Sequence, residues 1–159
     1  MIKVSDSYTE MTELVLPNDT NSLGNLLGGK LMFWIDICAA ISAMRVTKIV
    51  CVTAGVDDLI FLAPIRLGDA VKLKAIVNRT FNSSLEVGVD VYAENMSTGE
   101  IRHSNSAYLT FVCVDKQGKP IPVPEVSPIS PDEKRKFDGA LHRREERLRK
   151  KEILQRQSS

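Results

Sequence analysis

A chain of 159 residues, 43% hydrophobic and 26% charged, has the size and composition of one globular domain and is too short for a second full one. Its formal net charge of +1 supplies no field that would gather nucleic acid, so no polyanion partner is expected. The longest apolar stretch is broken by Lys30 and Asp36, short of the ~20 clean residues a membrane span needs. The opening MIKVSDSYTEMTE is too polar for a signal peptide, so a soluble, cytoplasmic protein with no membrane partner is expected.

Residues 7–16 mix apolar and polar positions, end at the turn signal Pro17-Asn18-Asp19 and predict a first strand. A loop over Thr20–Leu23 leads into one long helix, from Gly24 to about Thr47. Between Leu31 and Met44 its side chains are apolar or small all the way round, which predicts a helix buried on every side. Asp36 is the one charge in that interval. A carboxylate there is costly unless paired or hydrogen-bonded, which marks Asp36 as a functional candidate or a satisfied core group. Gly28 and Gly29 fall in the first turn, where backbone N–H groups lack helical partners and carry the positive end of the dipole. Glycines there admit a ligand oxygen, or simply let another element pack closely. Asn25, just ahead of them, strengthens the reading as a site.

Ile49–Val56 is a β-branched run that predicts a strand buried on both faces or on one sheet face. Phe61-Leu62-Ala63-Pro64-Ile65 follows, with Pro64 arguing against a central strand, and Leu67-Gly68-Asp69 makes a turn. Ala70–Thr80 and Leu85–Glu94 both alternate in the period of a strand with one wet face, joined by a hairpin at Asn82-Ser83-Ser84. A turn at Ser97-Thr98-Gly99 precedes a last strand over Arg102–Val114. The sum is an α+β domain, an antiparallel sheet wrapped around one long buried helix. A helix without a polar face needs covering on its second side, so a homodimer at least is expected.

Three segments follow from this pass: a sheet-and-helix domain over residues 1–118, a Pro-rich extended segment over 119–131, and a charged C-terminal helix over 132–156. The last carries a thin apolar stripe of Phe137, Leu141 and Leu148, and Glu145, Glu146 and Glu152 among its cations argue against a nucleic-acid tail. Cys38, Cys51 and Cys113 lie in apolar runs without CxxC spacing, so neither a metal site nor a disulfide framework is expected. The histidines, His103 and His142, are not adjacent to any cysteine, which leaves no basis for a cysteine nucleophile.

An ordered set of motifs resembles the hotdog-fold acyl-CoA thioesterases, in particular bacterial acyl-CoA hydrolases related to the brain-type cytosolic enzyme. It consists of Leu16-Pro17-Asn18-Asp19-Thr20-Asn21, Gly24-Asn25-Leu26-Leu27-Gly28-Gly29, Asp36, Phe61 through Asp69, and Thr110-Phe111-Val112-Cys113-Val114-Asp115. The resemblance implies the hotdog fold and hydrolysis of acyl-CoA to free acid and coenzyme A, with no cofactor beyond the coenzyme A of substrate and product. It implies that Gly28 and Gly29 hold the thioester oxygen, that Asn25 orients water or carbonyl, and that Asp36 is general base or nucleophile. It also implies a trimer of dimers. Ser83 and Ser84 resemble a pair that meets the coenzyme A nucleotide. Because Phe81-Asn82 replace the family's Gly-Arg or Gly-Lys ahead of them, Arg79 is the cation expected nearby.

Spacing adds a deduction of its own. At helical rise Gly29 and Asp36 lie ~10 Å apart along the axis and Asn25 and Asp36 ~16 Å, whereas catalytic contacts need ~3 Å. A composite site is therefore expected, with Asn25, Gly28 and Gly29 of one subunit facing Asp36 of another. Two alternatives stand beside hydrolysis: a non-catalytic acyl-CoA-binding module, and a dehydratase, which would want a histidine in residues 20–50 where there is none.

Overall fold

The computed structural model describes residues 1–57 and 59–158. Strands β2 (Thr9–Leu14), β3 (Cys51–Asp57), β4 (Ala70–Thr80), β5 (Ser84–Glu94) and β6 (Ile101–Cys113) form one antiparallel sheet in the order β2-β4-β5-β6-β3. A short β1 (Ile2–Lys3) pairs in parallel with β7 (Val126–Ser127), tying the Pro-rich segment back to the start of the chain. The helices are α1 (Gly28–Thr47) and α2 (Pro131–Ser158). Among the described residues no helix is long and apolar enough to cross a membrane.

Alternation along the strands sends Leu73, Ala75, Leu85, Val87, Val89, Leu109 and Phe111 to one face, all nearly or fully buried against α1. The helix answers with Leu31, Trp34, Ile35, Cys38, Ala39 and Ala43, the alanines letting its backbone approach the sheet. Ser42 is the polar exception and donates to the Ser7 carbonyl at 2.7 Å. Lys48 closes the helix in the left-handed region (φ 59°), its N–H bonded to the Met44 carbonyl.

Three expectations are corrected. The helix begins at Gly28 rather than Gly24, because Gly24 takes a φ of +77° that helix cannot continue, while Asn25 lies in an isolated antiparallel bridge with Arg66. Within a single chain α1 is not buried on every side: Phe33 and Met44 are 55% and 40% exposed, with Ile37 and Ala40 half-buried on the same stripe. And β3 is an edge strand rather than a buried one, with Val52 45% and Val56 38% exposed.

The outer face of the sheet carries α2. A capping box starts the helix: Ser130 Oγ accepts from the Glu133 N–H and Glu133 Oε2 from the Ser130 N–H, with Pro131 as first helical residue. It docks chiefly through charge. Glu86, on the outer face of β5 and fully buried, takes a bidentate ion pair from Arg143 at 2.8 and 3.0 Å and a third bond from Asn78 Nδ2 at 2.9 Å. The Arg143 guanidinium also lies 3.7 Å over the Tyr108 ring, and the adjacent carboxylate holds its pKa above the ordinary value against the burial that opposes it.

Candidate functional site

The predicted glycines open α1. The N–H groups of Lys30 and Leu31 bond back to the Leu27 carbonyl, and those of Gly28 and Gly29 have no acceptor among the described residues. A Cβ built on Gly28 would stand 3.4 Å from the Phe61 ring, while one on Gly29 would meet nothing within 4 Å. Phe61 belongs to a segment that crosses the helix start and, with Leu26, Leu31 and Leu62 to Ile65, encloses about 240 Å³. Buried polar groups of β6 hold it there. Asn105 donates to the Ile60 carbonyl at 2.7 Å, the Leu62 N–H bonds the Ser104 carbonyl, and Arg102 ties the Pro64 carbonyl to Asp69.

Ahead of the helix, Asn21 and Asn25 close one loop. The Asn21 N–H bonds the Asn25 carbonyl at 2.9 Å, and Asn21 Oδ1 accepts from the N–H groups of Leu23 and Asn25 at 2.9 and 3.1 Å. With its oxygen so occupied, Asn21 presents its Nδ2 as a donor with no acceptor among the described residues. The Asn25 side chain differs: its Oδ1 is buried and unpaired.

Asp36 lies two turns into α1, half-buried. Thr53 of β3 donates its hydroxyl to Asp36 Oδ1 at 2.6 Å and fixes the carboxylate against the sheet. Sequence reasoning missed Thr53, which sits in a run whose β-branched residues announce only a strand. Within one chain the structure does not bring Asp36 to the glycines, since seven helical steps separate it from Gly29, ~10 Å of rise.

The residues predicted to meet coenzyme A divide. Ser83 and Ser84 line a groove of about 880 Å³ between the outer face of the sheet and α2, together with Thr110, Arg144, Arg147, Lys150 and Lys151. The Thr110 hydroxyl is buried there and unpaired. Arg79 is not part of that lining. It stacks 4.0 Å over the Phe137 ring and donates to the Phe137 carbonyl, so α2 supplies the groove's cations, a contribution the strand pattern gave no hint of.

A helix wrapped by an antiparallel sheet, with free N–H groups at its start and a carboxylate on its flank, defines a hotdog-fold protein of the thioesterase class. Residues 23–100 match the Thioesterase superfamily. An uncharacterised acyl-CoA thioester hydrolase of Bacillus subtilis is 42% identical over 92% of this chain and 85% of its own length. The chain therefore belongs to the hotdog acyl-CoA thioesterases. The acetyl-coenzyme A thioesterase of Mus musculus is also 42% identical, but the chain spans only 26% of its length. Among solved structures, an apo-hexameric acyl-CoA thioesterase superposes with a TM-score of 0.89 at 42% identity, covering 93% of this chain and 95% of that one. The acyl-CoA hydrolase of Staphylococcus aureus, solved with butyryl coenzyme A, coenzyme A and coenzyme A disulfide, superposes at 0.86 with 34% identity over 99% of this chain and 98% of its own. Structures of that enzyme also exist with an aspartate, a threonine or an asparagine replaced by alanine.

Proposed function

We propose that this chain hydrolyses acyl-CoA thioesters to a free acid and coenzyme A, at a site shared between two copies. The observation that carries this is Asp36, hydrogen-bonded by Thr53 of β3 and carried on a helix whose N-terminal glycines leave their N–H groups free. The positions replaced in the S. aureus enzyme support the assignment. There the asparagine precedes the aspartate by 15 residues and the threonine follows it by 17. Asn21, Asp36 and Thr53 have the same two spacings here. On the strength of that spacing we take Asn21 rather than Asn25 as the reacting asparagine, with Asn25 serving to close its loop.

In the proposed reaction the thioester carbonyl lies against the N–H groups of Gly28 and Gly29, with the Asn21 Nδ2 as a further donor. Negative charge that develops on the oxygen meets dipoles already in place. Asp36, held by Thr53, either takes the proton of an attacking water or attacks the carbonyl carbon itself to give a mixed anhydride that water then cleaves. Coenzyme A leaves as its thiol in both routes, and no cofactor enters either. The ~10 Å between the glycines and Asp36 of one α1 is bridged when the carboxylate comes from a second copy.

The exposed stripe of Phe33 and Met44, continuous with the bare edge of β3, is the surface a second copy would cover. A trimer of such dimers is the assembly we assign, in keeping with the hexameric relative. The phosphates of coenzyme A suit the groove lined by Ser83, Ser84, Arg144, Lys150 and Lys151, where cations of α2 face the hydroxyls of the sheet.

Release of free thiol from acyl-CoAs of C2 to C16, by the wild type and by Asp36→Ala, with folding followed by circular dichroism, tests the reading. Turnover by the wild type and its loss in the folded variant supports it. Binding of coenzyme A without turnover of any substrate replaces it with a non-catalytic acyl-CoA-binding module.

A further inference from the structure

Cys51, the first residue of β3, stands directly opposite Cys113, the last residue of β6, and their sulfurs are 3.1 Å apart. The Cys113 N–H is given to the Ser83 carbonyl and its own carbonyl accepts from the Ile121 N–H. On the β3 side the neighbouring Val114 N–H bonds the Val50 carbonyl, so by the alternation of an antiparallel ladder the two cysteines form a non-hydrogen-bonded cross-strand pair. Such pairs hold their Cα atoms about 4.5 Å apart and their side chains on one face. That separation lies inside the range a disulfide spans, about 4.4–6.8 Å. The third cysteine, Cys38, is fully buried on α1 and its thiol is directed to the carbonyls of Thr9 and Leu73.

We propose that Cys51 and Cys113 are a reversible oxidation site, converted by peroxide into a disulfide that ties the edge strand β3 to β6. The inference is independent of the hydrolytic reading. The two thiols are unlike each other in a useful way. Cys51, at the very start of β3, is only half-buried, while Cys113 is fully buried and burial pushes its thiol up to about 12. Cys51 is therefore the sulfur that meets the oxidant and Cys113 the one that resolves it. The Cys51 thiolate attacks one peroxide oxygen and the O–O bond breaks, giving a sulfenic acid, and the departing hydroxide takes up the proton the thiol had released and leaves as water. The Cys113 sulfur then attacks Cys51 Sγ, the S–O bond breaks, and the hydroxyl leaves as a second water with the Cys113 proton. Two electrons pass from sulfur to peroxide, and a dithiol reductant reverses the change. Thr53 lies two residues beyond Cys51 on the same face of β3, so the bond would anchor the strand that holds Asp36.

The test treats the full chain with hydrogen peroxide, blocks remaining thiols under denaturing conditions, and reads intact mass and a peptide map. Three thiols should fall to one, with a mass loss of about 2 Da, a Cys51–Cys113 linked peptide, and recovery with dithiothreitol. In Cys38→Ser the same loss should remain, and in Cys51→Ser it should vanish. Mass gains of about 16 Da without the 2 Da loss, a linkage between chains on a non-reducing gel, or unchanged thiols would each overturn the proposal.

Discussion

The Thr53 hydroxyl donates to the Asp36 carboxylate at 2.6 Å across the gap between β3 and α1, and the bond links the edge of the sheet to the middle of the helix. A hydrogen bond to a charged group is worth about 1.5–3 kcal/mol, so Thr53→Ala should lower kcat about 10- to 100-fold with the fold intact. Thr53→Ser keeps the hydroxyl and should recover most of the rate. Steady-state kinetics of the two variants decides it, and equal losses in both would remove Thr53 from the mechanism.

At the helix start, Gly29 faces open space and Gly28 faces the Phe61 ring at 3.4 Å. Gly29→Val should therefore fold normally yet slow turnover by roughly 100-fold, because its side chain would occupy the approach to the free N–H groups. Circular dichroism and kcat measured together check both halves of that statement.

The Arg143–Glu86 pair predicts an asymmetry. Removing Arg143 leaves a carboxylate buried without its cation, and Arg143→Ala should cost about 3–5 kcal/mol of stability by urea unfolding. The double variant Arg143→Met with Glu86→Leu removes both charges and should regain much of that loss.

Alkaline stability follows from the buried thiols. Burial pushes Cys38 up to about 11 and Cys113 up to about 12, from an ordinary value of 9.0. Between pH 9 and those values the unfolded chain has lost protons that the folded chain still holds, so stability falls as pH rises through this window and is fully present below it. Unfolding midpoints from pH 8 to 11 should decline, and the decline should be shallower in Cys38→Ala. Because each proposed step uses groups of the chain itself, EDTA should leave turnover unchanged.

Much of this was readable before the structure. Asp36 stood out because a lone charge in an apolar helix has to be accounted for, and the alternation of β4 and β5 fixed which residues face α1. What escaped was decided by tertiary partners. The proposal of Asn21 in place of Asn25 rests on a spacing shared with a relative, which one sequence does not display, and Thr53 acquires its role only once β3 lies beside α1. Glu86 reads as a wet-face residue of an alternating strand, and only the arrival of Arg143 from 57 residues away makes it a buried anchor. The stripe of Phe33 and Met44 was invisible as a separate face, because a sequence apolar all round does not say which side meets the sheet and which meets another chain.

Subunit complementation tests the shared site most directly. Asp36→Ala and Asn21→Ala should each be inactive alone; refolded together in equal amounts, they should regain about a quarter of wild-type thiol release, since half the dimers are mixed and each carries one intact site. Recovery of that size places the asparagine and the carboxylate on different chains. A mixture that exchanges subunits, as shown by mass spectrometry, yet stays inactive would contradict the account and confine the reaction to a single chain.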